Sequence, residues 1–207
     1  MLKSVISFSL SVFVFFNLFA QNQKETIVEI STSQGTIKVK LYNETPVHRD
    51  NFIILVKQGK YDETDFYRII NTHFIQGGNP ELDKTMKTLP AEISPEKFCK
   101  RGALVAARED ESVNPEKRSS ATSFYIVLGN TIAYELVDRI GNRMEYKFSE
   151  EQKQAYSTVG GIPTLDGSNT VFGEVIEGLY VVEKIASQPV QGETPDQKIT
   201  LKMKIVE

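Results

Sequence analysis

The chain has 207 residues, 40% of them apolar and 25% charged, a size and balance that fit one globular domain and exclude disordered, collagen-like and polytopic membrane chains. Against 27 acidic residues stand 24 basic ones, a formal net charge of -3, which speaks against a nucleic-acid binder because such proteins carry a basic excess or stripe. Cys99 is the only cysteine, so no internal disulfide can hold the fold and the domain depends on its core.

Residues 1–20 have the pattern of a secretory leader. Lys3 supplies a small positive start, Val5 to Phe19 is apolar, and Ala20 precedes the polar Gln21-Asn22-Gln23. Cleavage is expected near Ala20. The apolar stretch falls short of the roughly 20 residues a spanning helix needs. The expected product is an exported domain, residues 21–207, periplasmic or secreted, without membrane insertion after cleavage and monomeric.

In the domain, Ile27, Glu29 and Ser31 alternate with Val28 and Ile30, Ser33-Gln34-Gly35 supplies turn chemistry, and Thr36 to Tyr42 alternates again, which predicts a β-hairpin. Thr45-Pro46 then places a capping hydroxyl before a proline suited to the first helical position. Phe52, Leu55 and Val56 follow at helical spacing, with Gly59 as the stop. Strand-like runs come at Asp65 to Ile70, His73 to Gln76, Ala103 to Ala107, Ser123 to Leu128, Thr170 to Val175 and Ile199 to Val206, and a second helix spans about Gly178 to Ile185. Many strands and two helices predict a mainly β fold, a closed or nearly closed antiparallel barrel capped by helices.

One connection breaks the pattern. Gly129 to Pro163 is far longer than the usual roughly 4 to 6 residues. It carries Ile132, Leu136 and Ile140 at spacings of four, then Ser149-Glu150-Glu151-Gln152, a capping-box pattern that opens a helix toward Tyr156. It is a structured, partly helical insertion, either a binding lid or decoration.

Few residues offer reactive chemistry. Of the two histidines, His48 falls in the first helix and His73 in a strand-like run without acidic neighbours. Neither a convergent metal-ligand set nor a nucleophile in a recognisable turn is present, and no phosphate-binding glycine motif occurs. Glu109-Asp110-Glu111 reads as a solvated face and Cys99 as a packing thiol. No metal or cofactor is called for.

What remains is Phe66-Tyr67-Arg68-Ile69-Ile70 followed by His73-Phe74-Ile75-Gln76-Gly77-Gly78. This pair of runs resembles the cyclophilin family of peptidyl-prolyl isomerases, whose signature reads approximately F-H-R-[VI]-I-x-x-F-M-x-Q-G-G. The likeness extends over nearly the whole domain: Gly102 to Ala107 is similar to the family's G-x-L-S-M-A strand, Ser123-Phe124-Tyr125-Ile126 to the end of S-Q-F-F-I, and Leu165-Asp166-Gly167 with Thr170 to Gly178 to L-D-G-x-x-T-V-F-G-x-V-x-x-G. The resemblance implies a cyclophilin-like barrel acting on proline-containing polypeptides, with Arg68 as the catalytic residue and Gln76 as a backbone anchor. Phe74, Tyr125 and Leu165 would line the proline cup, with Ala107 and Arg108 along the peptide groove.

The chain also departs from the pattern. Counting from Arg68, His73 stands where the motif expects Phe, which makes the cup more polar unless a bulge brings Phe74 there. Ser123 replaces the usual second Gln, Asn169 a frequent His, Thr164 an occasional Trp, and Tyr67 the His that commonly precedes the arginine. The resemblance leaves two readings: an isomerase assisting the folding of exported proteins, or a peptide-binding or chaperone module of the same fold with little turnover.

The leader reading predicts that protein recovered from outside the cytoplasm has an intact mass starting near Gln21. Full-length chain held in the membrane would mark an anchor instead.

Overall fold

The structure, a computed structural model, describes residues 24–206, so the leader assigned to residues 1–20 lies outside it. Alternating sequences become strands, in chain order β1 (Ile27–Thr32), β2 (Gly35–Leu41), β3 (Thr64–Ile70), β4 (Phe74–Gly78), β5 (Ala103–Ala106), β6 (Phe124–Val127), β7 (Val171–Glu177), the two-residue pieces β8 (Val190–Gln191) and β9 (Thr194–Pro195), and β10 (Thr200–Ile205). Eight of them close a barrel in the order β1-β10-β3-β4-β6-β5-β7-β2, with every pairing antiparallel, while β8 and β9 form a separate ribbon. The helices are α1 (Pro46–Lys57), α2 (Pro80–Asp83), α3 (Tyr134–Met144), α4 (Glu150–Thr158) and α5 (Leu179–Ala186).

Inward-facing residues such as Val28, Ile37, Phe66, Ile75, Leu104 and Ile126 fill the barrel and are fully buried or nearly so. Phe52, Leu55 and Val56 of α1 and Val181, Val182 and Ile185 of α5 join the same cluster. Each such side chain contributes roughly 1.5 to 3 kcal/mol on burial, more than local helix propensity does, which is why two short amphipathic segments hold as helices. Phe52 packs edge-on to Phe124 with ring centroids 5.7 Å apart, tying α1 to β6.

The α1 start differs from its sequence reading. Thr45 makes no side-chain capping bond to the helix; its hydroxyl donates to the Tyr42 carbonyl instead. The cap is Glu92, whose two oxygens accept the Val47 and His48 backbone N–H groups, both at 3.0 Å, while its Oε2 lies 2.7 Å from His48 Nδ1. A carboxylate there suits the positive end of the helix dipole. His48 is buried, and burial lowers its pKa despite the facing carboxylate.

A second apolar cluster lies on the outer face of the sheet. Val105, Tyr125, Val127 and Val171 point outward and are covered by Cys99 and Ile162. A third joins Val137, Phe148 and Tyr156 of the insertion to Phe98 from outside it. Ser149 and Gln152 form the expected capping box, with Ser149 Oγ accepting from Gln152 N at 3.2 Å and Gln152 Oε1 from Ser149 N at 2.8 Å. The α3 face is displaced from the expected one. Ile132 precedes the helix and Leu136 is 44% exposed, whereas Val137 and Gly141 are buried, because the helix packs through its Val137 side onto Phe148 and Tyr156.

The insertion is pinched shut where it leaves the barrel. Gly129 and Gly161 both have left-handed φ, +25° and +147°, and a Cβ on Gly129 would lie 2.1 Å from the Gly161 carbonyl oxygen. Beyond this neck, Asp166 pins the insertion to the rest. Its Oδ1 accepts from Cys99 N at 2.8 Å, and its Oδ2 from Tyr156 OH at 2.7 Å and Gln152 Nε2 at 3.2 Å. The segment is therefore a packed part of the domain.

Burial pushes the Asp166 carboxyl up to about 6 from its ordinary 3.8, against the lowering influence of its three donors. A raised carboxyl takes up its proton more readily when folded, so its contribution to stability is greatest at low pH and declines as pH rises from about 4 through about 6. The decline is on the order of 2 to 3 kcal/mol. In urea melts at pH 4 to 7, Asp166→Asn should be less stable than wild type at low pH, since its single amide oxygen faces three donors, and should lack this fall. An unchanged pH slope would show that another group carries it.

Candidate active site

The barrel's outer face carries a polar row built from three adjacent strands. Arg68 on β3 pairs in register with Gln76 on β4, which pairs with Tyr125 on β6. Between Phe66 and Arg68 the β3–β4 register shifts by one residue, so Phe66 turns into the core while Tyr67 and Arg68 can both contribute to the outer surface. Bulges commonly re-aim side chains in this way.

Hydrogen bonds link the row. Gln76 Oε1 accepts from Arg68 Nη1 at 3.1 Å, Gln76 Nε2 donates to Tyr67 OH at 2.7 Å, and Tyr67 OH donates to Ser123 Oγ at 3.1 Å. Tyr67 and Ser123, both departures from the family pattern, thus bond to one another. Ser123 is itself placed by α2. Asp83 accepts from Ser120 Oγ at 2.6 Å and from Ala121 N at 3.1 Å, and Ser120 Oγ accepts from Ser123 N at 2.8 Å.

The apolar part of the site adjoins Arg68. The Phe74 and Tyr125 rings stack at 4.7 Å between centroids, and the Arg68 guanidinium carbon stands 5.2 Å from the Phe74 ring centre, within cation–π range. Leu165 packs against the same outer cluster. A groove of about 650 Å³ runs past Arg68, Gln76, Ala107, Arg108, Ser123 and Tyr125. A second groove, of about 680 Å³, continues past Tyr125 to Leu165 and Asn169 and is walled by Tyr146 of the insertion.

These grooves bring together all but two of the residues expected from the sequence, and Phe74 joins them through its contacts with Arg68 and Tyr125. His73 does not join. β4 begins at Phe74, so His73 occupies the preceding turn. There its side chain is exposed, its Nδ1 stands 3.3 Å from the Asn71 carbonyl oxygen, and it borders a smaller recess with Thr72 and Ile132. The place expected for His73 beside Tyr125 is filled by Phe74, which keeps the cup aromatic. Asn169 lines the groove, but its amide is engaged, donating to the Ala106 carbonyl at 3.3 Å and accepting from Ser168 Oγ at 3.0 Å.

One contact comes from a residue far along the chain. Arg68 Nε donates to Glu193 Oε2 at 2.5 Å. With the two side chains 37% and 51% exposed, such a pair contributes at most about 1 kcal/mol to stability. Its sequence signal is only an acidic residue beside Gly192 in a polar stretch, which predicts a turn and nothing more.

Electrostatically the row holds one fixed charge, the Arg68 guanidinium. Burial raises the pKa of both the Tyr67 and Tyr125 phenols, so neither ionises near neutrality. Among the described residues no cluster of three or more metal-ligating side chains occurs, and no helix is long and apolar enough to cross a membrane. The arrangement can hold a small apolar ring against Phe74 and Tyr125, fix a peptide backbone by side-chain amide and hydroxyl groups, and direct a guanidinium at an atom above the ring.

A family model described as cyclophilin type peptidyl-prolyl cis-trans isomerase/CLD matches residues 27–207. The chain is 31% identical over 173 residues to a protein of Staphylococcus haemolyticus named "Putative peptidyl-prolyl cis-trans isomerase", covering 80% of this chain and 83% of that protein. It is 30% identical over 176 residues to a protein of the same name from Staphylococcus saprophyticus, covering 82% and 85%. A crystal structure of a Cryptosporidium parvum cyclophilin type peptidyl-prolyl cis-trans isomerase superposes with a TM-score of 0.66 at 24% identity, over 89% of this chain and 99% of the other. A second structure of it, obtained in the presence of the dipeptide Ala-Pro, gives 0.64 at 25% identity, over 87% and 99%.

Proposed function

This chain belongs to the cyclophilin-type peptidyl-prolyl cis-trans isomerases and has their activity, and we propose that it exercises that activity through Arg68 on exported polypeptides. Rotation about a peptide bond meets a barrier of about 18 to 20 kcal/mol, because the C–N bond has partial double-bond character, whereas the cis and trans forms of X-Pro differ by only about 0.5 to 1 kcal/mol. A catalyst therefore has only to favour the twisted state. There the proline nitrogen becomes pyramidal and regains a lone pair, which a guanidinium N–H can stabilise.

The observation that carries this assignment is the placing of Arg68 within 5.2 Å of the Phe74 ring centre, with Phe74 stacked on Tyr125. A proline ring seated against Phe74, Tyr125 and Leu165 has its nitrogen near the guanidinium. Gln76 and Ser123 offer hydrogen bonds to the flanking backbone, and Ala107, Arg108 and Asn169 extend the groove in which the rest of the peptide lies. The ligand class agrees with the dipeptide Ala-Pro in whose presence one Cryptosporidium structure was obtained. His73 has no part in the cup.

The leader-like residues 1–20 support the view that the enzyme works outside the cytoplasm, in the periplasm or as a secreted protein, where newly exported chains must isomerise their prolines. An acidic net charge of -3 favours polypeptide over nucleic acid as the partner, and a substrate groove contained within one chain suits a monomer.

Replacement of Arg68 by alanine is expected to lower the catalytic constant on the order of 10² to 10³, the usual loss on removing one transition-state donor, while peptide affinity changes less. Arg68→Lys should restore little, because an ammonium lacks the planar fork. Since no proton is transferred, the wild-type rate should stay level from about pH 7 to 9. The measurement is cis/trans exchange of an X-Pro peptide by NMR. An Arg68→Ala rate within about threefold of wild type would remove Arg68 from the mechanism. Peptide binding without any acceleration by wild type would favour a binding module.

A further inference from the structure

We propose that Glu193 is a positioning residue for catalysis, one that fixes the plane of the Arg68 guanidinium from the β8–β9 ribbon; the proposal rests on the assignment of Arg68 as the catalytic group. The argument begins with the edge of β3. This strand pairs with β10 at Thr64 and Asp65, Phe66 N donates to the Ile199 carbonyl at 3.1 Å, and beyond it the ribbon takes over, with Ile69 N donating to the Glu193 carbonyl at 2.7 Å. The residue after Arg68 is thus bonded to the backbone of the residue whose carboxylate meets Arg68. Gly192, in left-handed backbone with φ +65°, turns the chain at the ribbon tip, and Asp196 N closes its base on the Pro189 carbonyl at 3.0 Å. The carboxylate is therefore delivered from a point fixed relative to β3.

Three contacts then define the guanidinium. Glu193 Oε2 accepts from Nε, Gln76 Oε1 accepts from Nη1, and the guanidinium carbon stands 5.2 Å from the Phe74 ring centre. Nη2 makes no hydrogen bond with a described residue, so its two N–H groups, beside the second N–H of Nη1, are left for the proline nitrogen. A planar fork held at two of its nitrogens beside an aromatic ring has little rotation left, whereas an arginine of this exposure held by Gln76 alone can swing about its long stem. Rate depends steeply on such placement. The opposing effect, partial neutralisation of the Arg68 charge, is weakened because half the Glu193 side chain is in water.

The test uses the full-length mature enzyme and X-Pro exchange by NMR, with Glu193→Ala, Glu193→Gln, Arg68→Ala and the double variant Glu193→Ala/Arg68→Ala. Glu193→Ala is expected to lower the catalytic constant about 2- to 5-fold, the scale a half-exposed pair supports, with KM and the thermal midpoint close to wild type. Glu193→Gln, which keeps an acceptor oxygen, should recover most of the loss. In the Arg68→Ala background, assayed at raised enzyme concentration, removing Glu193 should change nothing further. The Arg68 Nε–Hε resonance should shift in Glu193→Ala.

A Glu193→Ala rate equal to or above wild type, alongside a large loss in Arg68→Ala, overturns the positioning role while leaving Arg68 in place. A loss that persists in the Arg68→Ala background overturns it as well, because that loss would be structural. If Arg68→Ala is itself nearly as fast as wild type, the assignment of Arg68 and this proposal fall together.

Discussion

Closure of the barrel is the constraint from which the rest follows. Once eight strands pair edge to edge, every inward side chain shares one dry interior with its neighbours, and that interior is filled by Phe66, Ile75, Ile126 and their like. Little room remains inside, so the polar row and the grooves beside it sit on the outer face, on the strands whose other side chains build the core. Arg68, Gln76 and Tyr125 occupy such positions, next in sequence or nearly so to buried Ile69, Ile75 and Phe124. Packing and function are therefore read from the same short strands, and a core that holds the strands in register also holds the row in register.

The site asks little of acid–base chemistry. The charge nearest its aromatic wall is the Arg68 guanidinium, and its phenols are kept neutral by burial. What the protein supplies is geometry: an aromatic wall, a hydrogen-bonded chain from Arg68 through Gln76 and Tyr67 to Ser123, and a guanidinium held near the wall. The replacement of a usual long amide by Ser123 is met within this chain, since the larger Tyr67 reaches across to it. Two departures from the family pattern that look like losses one at a time form a bonded pair when taken together.

Most of the barrel was legible because alternation with a period of two leaves a direct trace in the sequence, and because α1, α4 and α5 carry apolar spacing or a capping box. The site was legible through the run from Phe66 to Gly78. What escaped depends on contacts distant along the chain. Thr45 looked like the α1 cap, but Glu92 takes that role from a loop with no pattern of its own. His73 looked like a strand residue because it stands five places after Arg68; the turn before β4 shifts the strand by one residue and puts Phe74 in its place. Leu136 satisfied a four-residue spacing, yet tertiary packing selected Val137. Glu193 and the ribbon that bears it show only as turn-forming residues, because two-residue strands are too short for periodicity to register.

The pinched neck at Gly129 and Gly161 bears on how such a chain can change over generations. An excursion whose two ends touch presents itself to the barrel much as a tight turn would, whatever its length, and the entropy of closing it grows only slowly as residues are added. Residues could thus be gained or lost beyond the neck without re-phasing β6 before it or the Leu165 segment after it. The neck glycines and the buried Asp166, Tyr156 and Gln152 network are then the positions least free to vary in this region, and the groove wall that the excursion supplies through Tyr146 can be remodelled while the polar row stays as it is.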